Sequence, residues 1–296
     1  MNLRDRLPFE LGKVIWFTAE TAQSRSMLNG ESVLFAVPAP PRDWRSAVAN
    51  ARLADAACRR LRFDAAISTG ASMALSSLPV ARTHGVDSYY IESAARVEGP
   101  SMTGRMLAAF PGVRTYCQYR SWSDRTWRFT GSVFDGFEPG PVVPDAVVRT
   151  AVVTLGTQPG YSFNRLVTRL HQVLPDHVDV LWQTGATNTE TYGIEGRFSV
   201  PSAELDAAMS HADVVVAHAG VGSALSAIIA GRHPVLVARR SDFGEHVDDH
   251  QIQIAQELAD RGLATACTPE ELDISLLEDA ARRTNTRVAS PPPLML

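Results

Sequence analysis

Short apolar runs alternate with stretches whose apolar residues recur at helical spacing, and this pattern holds along almost the whole chain. It is the signature of successive βα units built on a mainly parallel sheet. The spacing predicts strands at 14–19, 33–37, 65–68 and 88–91. It predicts helices over 44–61, from the turn Thr69-Gly70-Ala71-Ser72 to about 84, and over 102–110. Gly85 and Pro111-Gly112 follow the last two as stop signals. Extended runs at 113–119 and 127–133 complete this first series. Residues 137–144, Phe-Glu-Pro-Gly-Pro-Val-Val-Pro, hold too many prolines for a helix or a central strand and read as a linker reaching to 149. A second series begins beyond it, with strands at 150–155, 178–183, 213–217, 234–238 and 264–266. Its helices lie over 163–174, 203–210, 222–230 and 249–261 and from 269 onward. The reading is therefore an α/β domain over 1–136, a linker over 137–149 and a second α/β domain over 150–285. The Pro-rich tail 286–296 is expected to be disordered.

A length of 296 residues suits two domains of roughly 150 residues each. The net charge of −4 argues against a broad nucleic-acid surface, which needs clustered Lys and Arg. Three cysteines, Cys58, Cys117 and Cys267, lie far apart with no CxxC spacing, as in a reducing compartment. No apolar run approaches the roughly 18 residues needed to cross a bilayer, and the start carries no signal-peptide core. A cytoplasmic protein is expected, with peripheral contact at the inner face of a membrane left open.

In open α/β sheets ligands bind beyond the carboxyl ends of the strands, and the distinctive short motifs here all fall at such ends. The strongest is Asp213-Val-Val-Val-Ala-His218-Ala219-Gly220-Val221-Gly222-Ser223-Ala-Leu-Ser226. A buried strand delivers a glycine-rich turn that opens a helix, where backbone N–H groups and the helix N-terminus favour an anion. The dipole contributes only about 0.3–1 kcal/mol, so His218 and Ser223 would have to add direct hydrogen bonds. Tight helix–strand packing around a structural histidine accounts for the isolated motif equally well. Gly220-Val-Gly222 also begins a GxGxxG, and Arg239-Arg240 at the next strand end suits a phosphate. Position 225 is Leu, however, and the turn follows a late strand of its domain, which argues against a dinucleotide.

The second motif runs Arg239-Arg240-Ser-Asp242-Phe-Gly-Glu245-His246-Val-Asp248-Asp249-His250-Gln251. Asp249 has the character of a helix N-cap. His246 and His250 stand four apart, as metal ligands can, but without an HExxH sequence. A hydrogen-bonding loop is favoured over a metal site, with a merely solvated charged loop as its competitor.

Together the two motifs resemble the C-terminal domain of glycosyltransferase family 28, especially the Alg13-type subunit and the bacterial polysaccharide transferase subunits like it. The similarity reaches back to Val152-Val-Thr-Leu-Gly156-Thr157-Gln158 with Phe163 and Leu166, and to Leu181-Trp-Gln183-Thr-Gly185. It covers about 150–265, with the motifs in the family's order. The resemblance implies a UDP-sugar donor site. Gly222 and Ser223, with His218, would sit at the diphosphate; Asp249, His250 and Gln251 would face the sugar or its phosphate. Gly156 and Thr157 would lie at the domain crevice, and Gln183, Ala219, Gly220, Glu245 and His246 complete the implied donor-binding set. Ser226 stands where related transferases often place an acidic residue for the ribose, so uridine preference is implied by the family and not by these side chains.

The first half resembles the Alg14-type partner through Ile67-Ser-Thr-Gly70-Ala71, Tyr90-Ile-Glu92-Ser93-Ala-Ala-Arg96-Val97 and Ser101-Met-Thr103-Gly104. That would make the chain a fusion of two subunits, with Gly70, Arg96, Ser101, Thr103 and Gly104 on the acceptor side. The competing reading makes Gly70 and Gly104 turn residues and Glu92 a solvated loop acid. Relatives of this half open with a strand, a Gly-Gly-His loop and a helix ahead of the strand matched by 14–19. The sequence here shows no such opening.

The expected fold is thus α/β, with two Rossmann-like domains facing a cleft, the GT-B architecture. The implied reaction moves a hexosyl group (GlcNAc or a related sugar) from a UDP-sugar to a lipid-linked or polysaccharide acceptor. Inversion is expected, with no metal or other cofactor and the UDP-sugar as co-substrate. Such chemistry needs the leaving diphosphate stabilised and the acceptor hydroxyl deprotonated. Helix N-termini, His218 and Ser223 are expected to do the first, and Glu92 is the candidate base. The alternatives are a UDP-sugar 2-epimerase on the same architecture and a non-catalytic nucleotide-sugar-binding scaffold.

Overall fold

The computed structural model describes residues 3–38, 43–70 and 72–296. Ala71, in the turn after the third expected strand, and Met1-Asn2 lie outside them. The chain divides into two compact units, one ending at Val133 but including Pro292–Leu296, the other running Phe134–Pro291.

In the first unit, β1 (Trp16–Ala19) and β2 (Val33–Ala36) pair in parallel, with α1 (Ala22–Met27) between them in sequence. Hydrophobic periodicity gives no sign of so short a helix. A reciprocal capping box sets it: Ser24 N donates to Thr21 Oγ1 and Thr21 N donates to Ser24 Oγ. A second parallel sheet takes the order β3 (Ala65–Ser68), β4 (Asp87–Ile91), β5 (Val113–Cys117), β6 (Trp127–Phe129). Its helices are α2 (Trp44–Arg60), α3 (Met73–Thr83) and α4 (Met102–Ala108). Asp43 caps α2, its carboxylate accepting from Arg45 N and Ser46 N. Successive side chains of β4 go to opposite faces. Tyr90 packs with Leu78, Leu107 and Trp127, whereas Tyr89 and Ile91 pack with Tyr116.

The second unit holds a five-stranded parallel sheet with α5 to α9 on its two faces. In chain order these elements are β8 (Thr150–Thr154), α5 (Asn164–Val173), β9 (Asp179–Gln183), α6 (Ser202–His211), β10 (Val214–His218) and α7 (Val221–Ile229). They continue with β11 (Val235–Val237), α8 (His250–Asp260), β12 (Thr265–Cys267) and α9 (Ile274–Ala281). Val153, Val214 and Val216 join one core with Leu166, Leu170 and Leu277; Val152 and Val215 join the other with Met209 and Ala227. This two-sided burial is why the strands read as nearly unbroken apolar runs. α9 begins at Ile274 and not at 269, where Asp273 caps it by accepting from Leu276 N.

Across the sheet the order is β9-β8-β10-β11-β12. The strand order reverses between β8 and β10, which run parallel, and there the connections leave on opposite faces and open a crevice at the carboxyl ends.

Two expectations are corrected. The proline-rich stretch is no free linker: β7 (Phe137–Pro139) pairs antiparallel with β13 (Asn285–Arg287) within the second unit. Gly140 N and Val143 N extend the contact to Thr284 O and Arg282 O, at 2.8 and 2.7 Å. An edge strand tolerates its prolines because one side needs no ladder. The tail is ordered as well. It returns to the first unit, where Leu294 is 1% exposed beside Tyr89, Ile91 and Tyr116. Leu294 N donates to Arg6 O and Met295 N to Thr130 O, at 2.7 and 2.9 Å. Three prolines keep the tail extended, which favours this docking over a mobile state.

Candidate functional site

At the switch point of the second unit, β8 ends in Leu155-Gly156-Thr157 and β10 ends in His218, with the glycine turn opening α7. The first intrahelical bond of α7 runs from Ala224 N to Gly220 O. The N–H groups of Val221, Gly222 and Ser223 precede it and are therefore free of helical partners. Such a terminus holds an anion through backbone donors and the dipole together. Ser223 Oγ, partly exposed, lies 3.5 Å from Thr154 Oγ1 and adds a hydroxyl to the same place.

His218 lies across this turn. A Cβ on Gly220 would stand 2.3 Å from its Nε2, and one on Gly156 would stand 2.9 Å from the same atom. Glycine is required at both positions for the imidazole to fit. Its Nδ1 lies 3.2 Å from Thr154 O. A carbonyl can only accept, so Nδ1 carries the proton. Burial, reinforced by the charge of Arg239, pushes the His218 pKa down to about 4. The ring is therefore neutral at physiological pH, and Nε2 presents a lone pair. This corrects the expectation of a histidine donating to the diphosphate: in this tautomer His218 accepts, and a ligand hydroxyl is its natural partner.

The structure takes other expected donor residues out of direct contact. Gln183 is buried, with Nε2 donating to Thr154 Oγ1 at 2.8 Å and Oε1 accepting from Val200 N at 2.9 Å. Its amide locks β9 to β8. Glu245 is also buried, and Arg165 grips it with two parallel bonds of 2.9 Å, while Arg240 N adds a third at 3.1 Å. Asp249 accepts from Ser241 N and Ser241 Oγ, both at 2.9 Å, and these bonds hold its carboxyl below the usual carboxylate range. Ala219 is buried beneath the turn. Glu245 and Asp249 thus shape the loop between β11 and α8, while Gln183 and Ala219 brace the sheet and the turn above it.

Besides His218 and Ser223, four expected residues remain open to a ligand. Gly156 and Gly222 supply backbone, with Thr157 exposed next to Gly156. Gln251 gives its Oε1 to Arg239 N at 3.0 Å, which leaves its NH2 as a donor. On the rim, His246 Nδ1 lies 3.1 Å from Asp248 Oδ1, and His250 Nε2 lies 3.5 Å from Asp248 Oδ2. Among the described residues no three His, Cys, Asp or Glu side chains are arranged to hold a metal ion.

The first unit has its own cavity at the carboxyl ends of β3 and β4. It measures about 410 Å³ and is lined by Thr69, Gly70, Tyr90, Glu92, Ser93, Ala95, Arg96, Ser101 and Thr103. Four of the five expected acceptor-side residues meet here. Gly104 does not: it lies on the buried side of α4, where a Cβ would come within 2.4 Å of Glu92 Oε2 and 2.8 Å of Trp127.

Glu92 is 1% exposed, and its carboxylate accepts from four donors. Tyr90 OH and Ser93 N reach Oε1, both at 3.0 Å; Ser101 N and Ser101 Oγ reach Oε2 at 2.8 and 2.9 Å. Burial pushes the Tyr90 phenol well above its ordinary range, so it stays protonated as a donor. A carboxylate with its lone pairs so committed holds the wall of the cavity in place and does not take a proton from a substrate. The expectation of Glu92 as base is corrected accordingly.

The sequence reading passed over Arg165, which clamps Glu245 from 80 positions away, and Thr154, which orients both His218 and Gln183. Arg165 stands in no motif, and Thr154, although inside the stretch 152–158, shows its role only once the fold brings His218 and Gln183 against it.

Residues 150–290 match the glycosyltransferase family 28 C-terminal domain. Among curated proteins, the UDP-N-acetylglucosamine transferase subunit ALG13 of Yarrowia lipolytica is 46% identical over 55 residues, covering 19% of this chain and 26% of that protein. A UDP-N-acetylglucosamine--N-acetylmuramyl-(pentapeptide) pyrophosphoryl-undecaprenol N-acetylglucosamine transferase of Parasynechococcus marenigrum is 27% identical over 236 residues, covering 74% of this chain and 63% of that one. The chain thus spans less than two thirds of the length of each. Among solved structures, MurG of Acinetobacter baumannii superposes with a TM-score of 0.56 at 18% identity, covering 90% of this chain and 80% of that one. The glycosyltransferase of kitacinnamycin gives 0.56 at 15% identity, covering 91% and 82%. These likenesses establish the fold, an α/β arrangement with parallel sheets that this chain shares with glycosyltransferases.

Proposed function

We propose, because residues 150–290 match the glycosyltransferase family 28 C-terminal domain, that the protein transfers a hexosyl group, GlcNAc or a close relative, from a UDP-sugar to a lipid-linked or polysaccharide acceptor. The observation that carries this reading is the free helix terminus of α7 facing the Gly156–Thr157 turn at the switch point of the sheet. An acceptor hydroxyl oxygen attacks the anomeric carbon, the bond from that carbon to the phosphate oxygen breaks, and UDP leaves with the electron pair, while the hydroxyl's proton passes through solvent water to the leaving diphosphate. Val221, Gly222 and Ser223 N–H meet the charge that develops on the leaving diphosphate, as preorganised donors do. His218 Nε2 and the Gln251 amide are placed for sugar or ribose hydroxyls. This arrangement needs no metal, and attack opposite the leaving group inverts the anomeric centre. The cavity of the first unit, with Arg96 and the hydroxyls of Thr69, Ser93, Ser101 and Thr103, suits a polar, anionic headgroup as the acceptor side.

Calorimetric titration with UDP, UDP-GlcNAc, UDP-glucuronate and NADPH tests the donor reading. UDP and UDP-GlcNAc are expected to bind and NADPH to give no heat. His218→Ala and Gln251→Ala should each weaken UDP-GlcNAc by about tenfold, the worth of one good hydrogen bond. A folded protein that binds no UDP would remove the donor assignment.

A lipid-linked acceptor requires contact with a bilayer surface. No helix among the described residues is long and apolar enough to cross a membrane. Exposed Met102 (71%), Met106 (56%) and Phe110 (38%) stand four residues apart, with exposed Arg105 among them. We assign this stripe to peripheral membrane contact. Met102→Glu with Met106→Glu should weaken flotation with anionic vesicles at least about tenfold, since each buried Met contributes about 1.5–3 kcal/mol. Unchanged flotation would remove the assignment.

A further inference from the structure

Arg239 follows β11 and is 1% exposed. Its backbone N–H holds Gln251, and its guanidinium donates to Leu155 O, the residue just before the Gly156–Thr157 turn. Its Nε is buried with no partner, and the guanidinium carbon lies 5.8 Å from the centre of the Phe163 ring. Among the described residues no carboxylate pairs with it. The one that acts on it through space, Glu245, already accepts both forks of Arg165 and the Arg240 N–H. A guanidinium does not shed its proton, so a full positive charge stays buried behind the turn. Its field reaches the site, since it is the second cause of the lowered basicity of His218.

Burying an unpaired charge is costly, and an apolar side chain of similar volume is often the more stable choice. A tie between strand ends explains the bond to Leu155 but not the cation. A fixed positive charge at the carboxyl ends of parallel strands, close to a free helix terminus, has one evident use.

Building on the donor reading above, we propose that Arg239 is a positioning residue whose buried charge, without touching the ligand, selects an ionised nucleoside diphosphate over the uncharged nucleoside. The anion completes a charge balance that the protein leaves open, whereas uridine has nothing to offer it.

The test uses the full chain, titrated with UDP, uridine and inorganic pyrophosphate, in the wild type, Arg239→Met and Arg239→Lys. Melting of each ligand-free protein is followed in parallel. Arg239→Met should weaken UDP and pyrophosphate by about tenfold or more, as expected for a charge acting over several ångströms, and leave uridine within about threefold. Its melting temperature should hold or rise. Arg239→Lys, which keeps the charge and loses the fork, should retain most of the preference for UDP over uridine. A lowered melting temperature with UDP and uridine weakened alike, in either variant, would make Arg239 a structural tie and overturn the inference. So would unchanged UDP affinity in Arg239→Met. If the folded wild type bound no UDP, the donor reading itself would fall and the inference with it; UDP binding by the wild type separates the two failures.

Discussion

Gly185→Ala is expected to lower UDP affinity at least about 100-fold, a loss of about 2.7 kcal/mol, in a protein that still folds. The methyl group would stand 1.9 Å from Gly156 O, and the obstacle is backbone, not the tip of a flexible side chain. Gly185 also sits at φ +57, so alanine adds left-handed strain of about 1–2 kcal/mol. The steric conflict has one soft outlet, which is to push the Gly156–Thr157 turn away. Leu155 on the near side is fixed, its N–H donating to Gln183 O at 2.9 Å and its carbonyl held by Arg239. The displacement would thus fall on the atoms proposed to face the diphosphate. Gly193→Ala is the control: it shares a left-handed backbone, φ +64, but no atom lies within 4 Å of its new methyl. It should show the modest stability loss of the strain alone and normal UDP binding. Titration and urea unfolding of both variants decide the matter. Wild-type UDP affinity in Gly185→Ala would mean that this turn does not form the donor site.

The second large effect concerns Glu92. Removing its carboxylate leaves Tyr90 OH, Ser93 N, Ser101 N and Ser101 Oγ without their acceptor in a buried place. Glu92→Ala is expected to destabilise the first unit by about 3–5 kcal/mol, the range for breaking a buried charged network by deleting one member. Glu92→Gln should lie between, because its amide NH2 turns donor against donor at one of the two oxygens. With two units in the chain a single global transition is not assured, so hydrogen exchange read by mass spectrometry is the sharper probe. Protection should fall at the Ser93 and Ser101 amides and stay unchanged at β8 and β10. A stable, normally protected Glu92→Gln protein with turnover alone abolished would restore the catalytic base.

The alternation of strands and helices was legible because it is written locally: β3 and the cores of β8 to β11 follow from apolar runs that any fold of this class must bury. The site was half legible. His218, Gly220, Gly222 and Ser223 declare a turn between strand and helix from their own order in the chain. Glu245, Asp249 and Gln251 declare a constrained loop, yet order alone does not show which way a constrained side chain faces. Glu245 turns to Arg165 and Asp249 to Ser241, and only Gln251 keeps a donor free. Glu92 shows the same limit, since a carboxylate at a strand end reads alike whether it serves a substrate or its own helix. Helix α1 was hidden because capping, not periodicity, defines it. The tail was misread because composition reports what a segment can do alone, while Leu294 is ordered by a surface almost the whole chain away.

That tail bears on how the molecule is made. Domains usually fold as they leave the ribosome, the N-terminal one first. Here the pocket formed by Tyr89, Ile91 and Tyr116 waits for Leu294, and the Arg6 and Thr130 carbonyls wait for the amides of Leu294 and Met295. All of the second unit must be synthesised before these partners arrive. The first unit to emerge is thus the last to be finished, and it must persist with an open apolar pocket through most of translation.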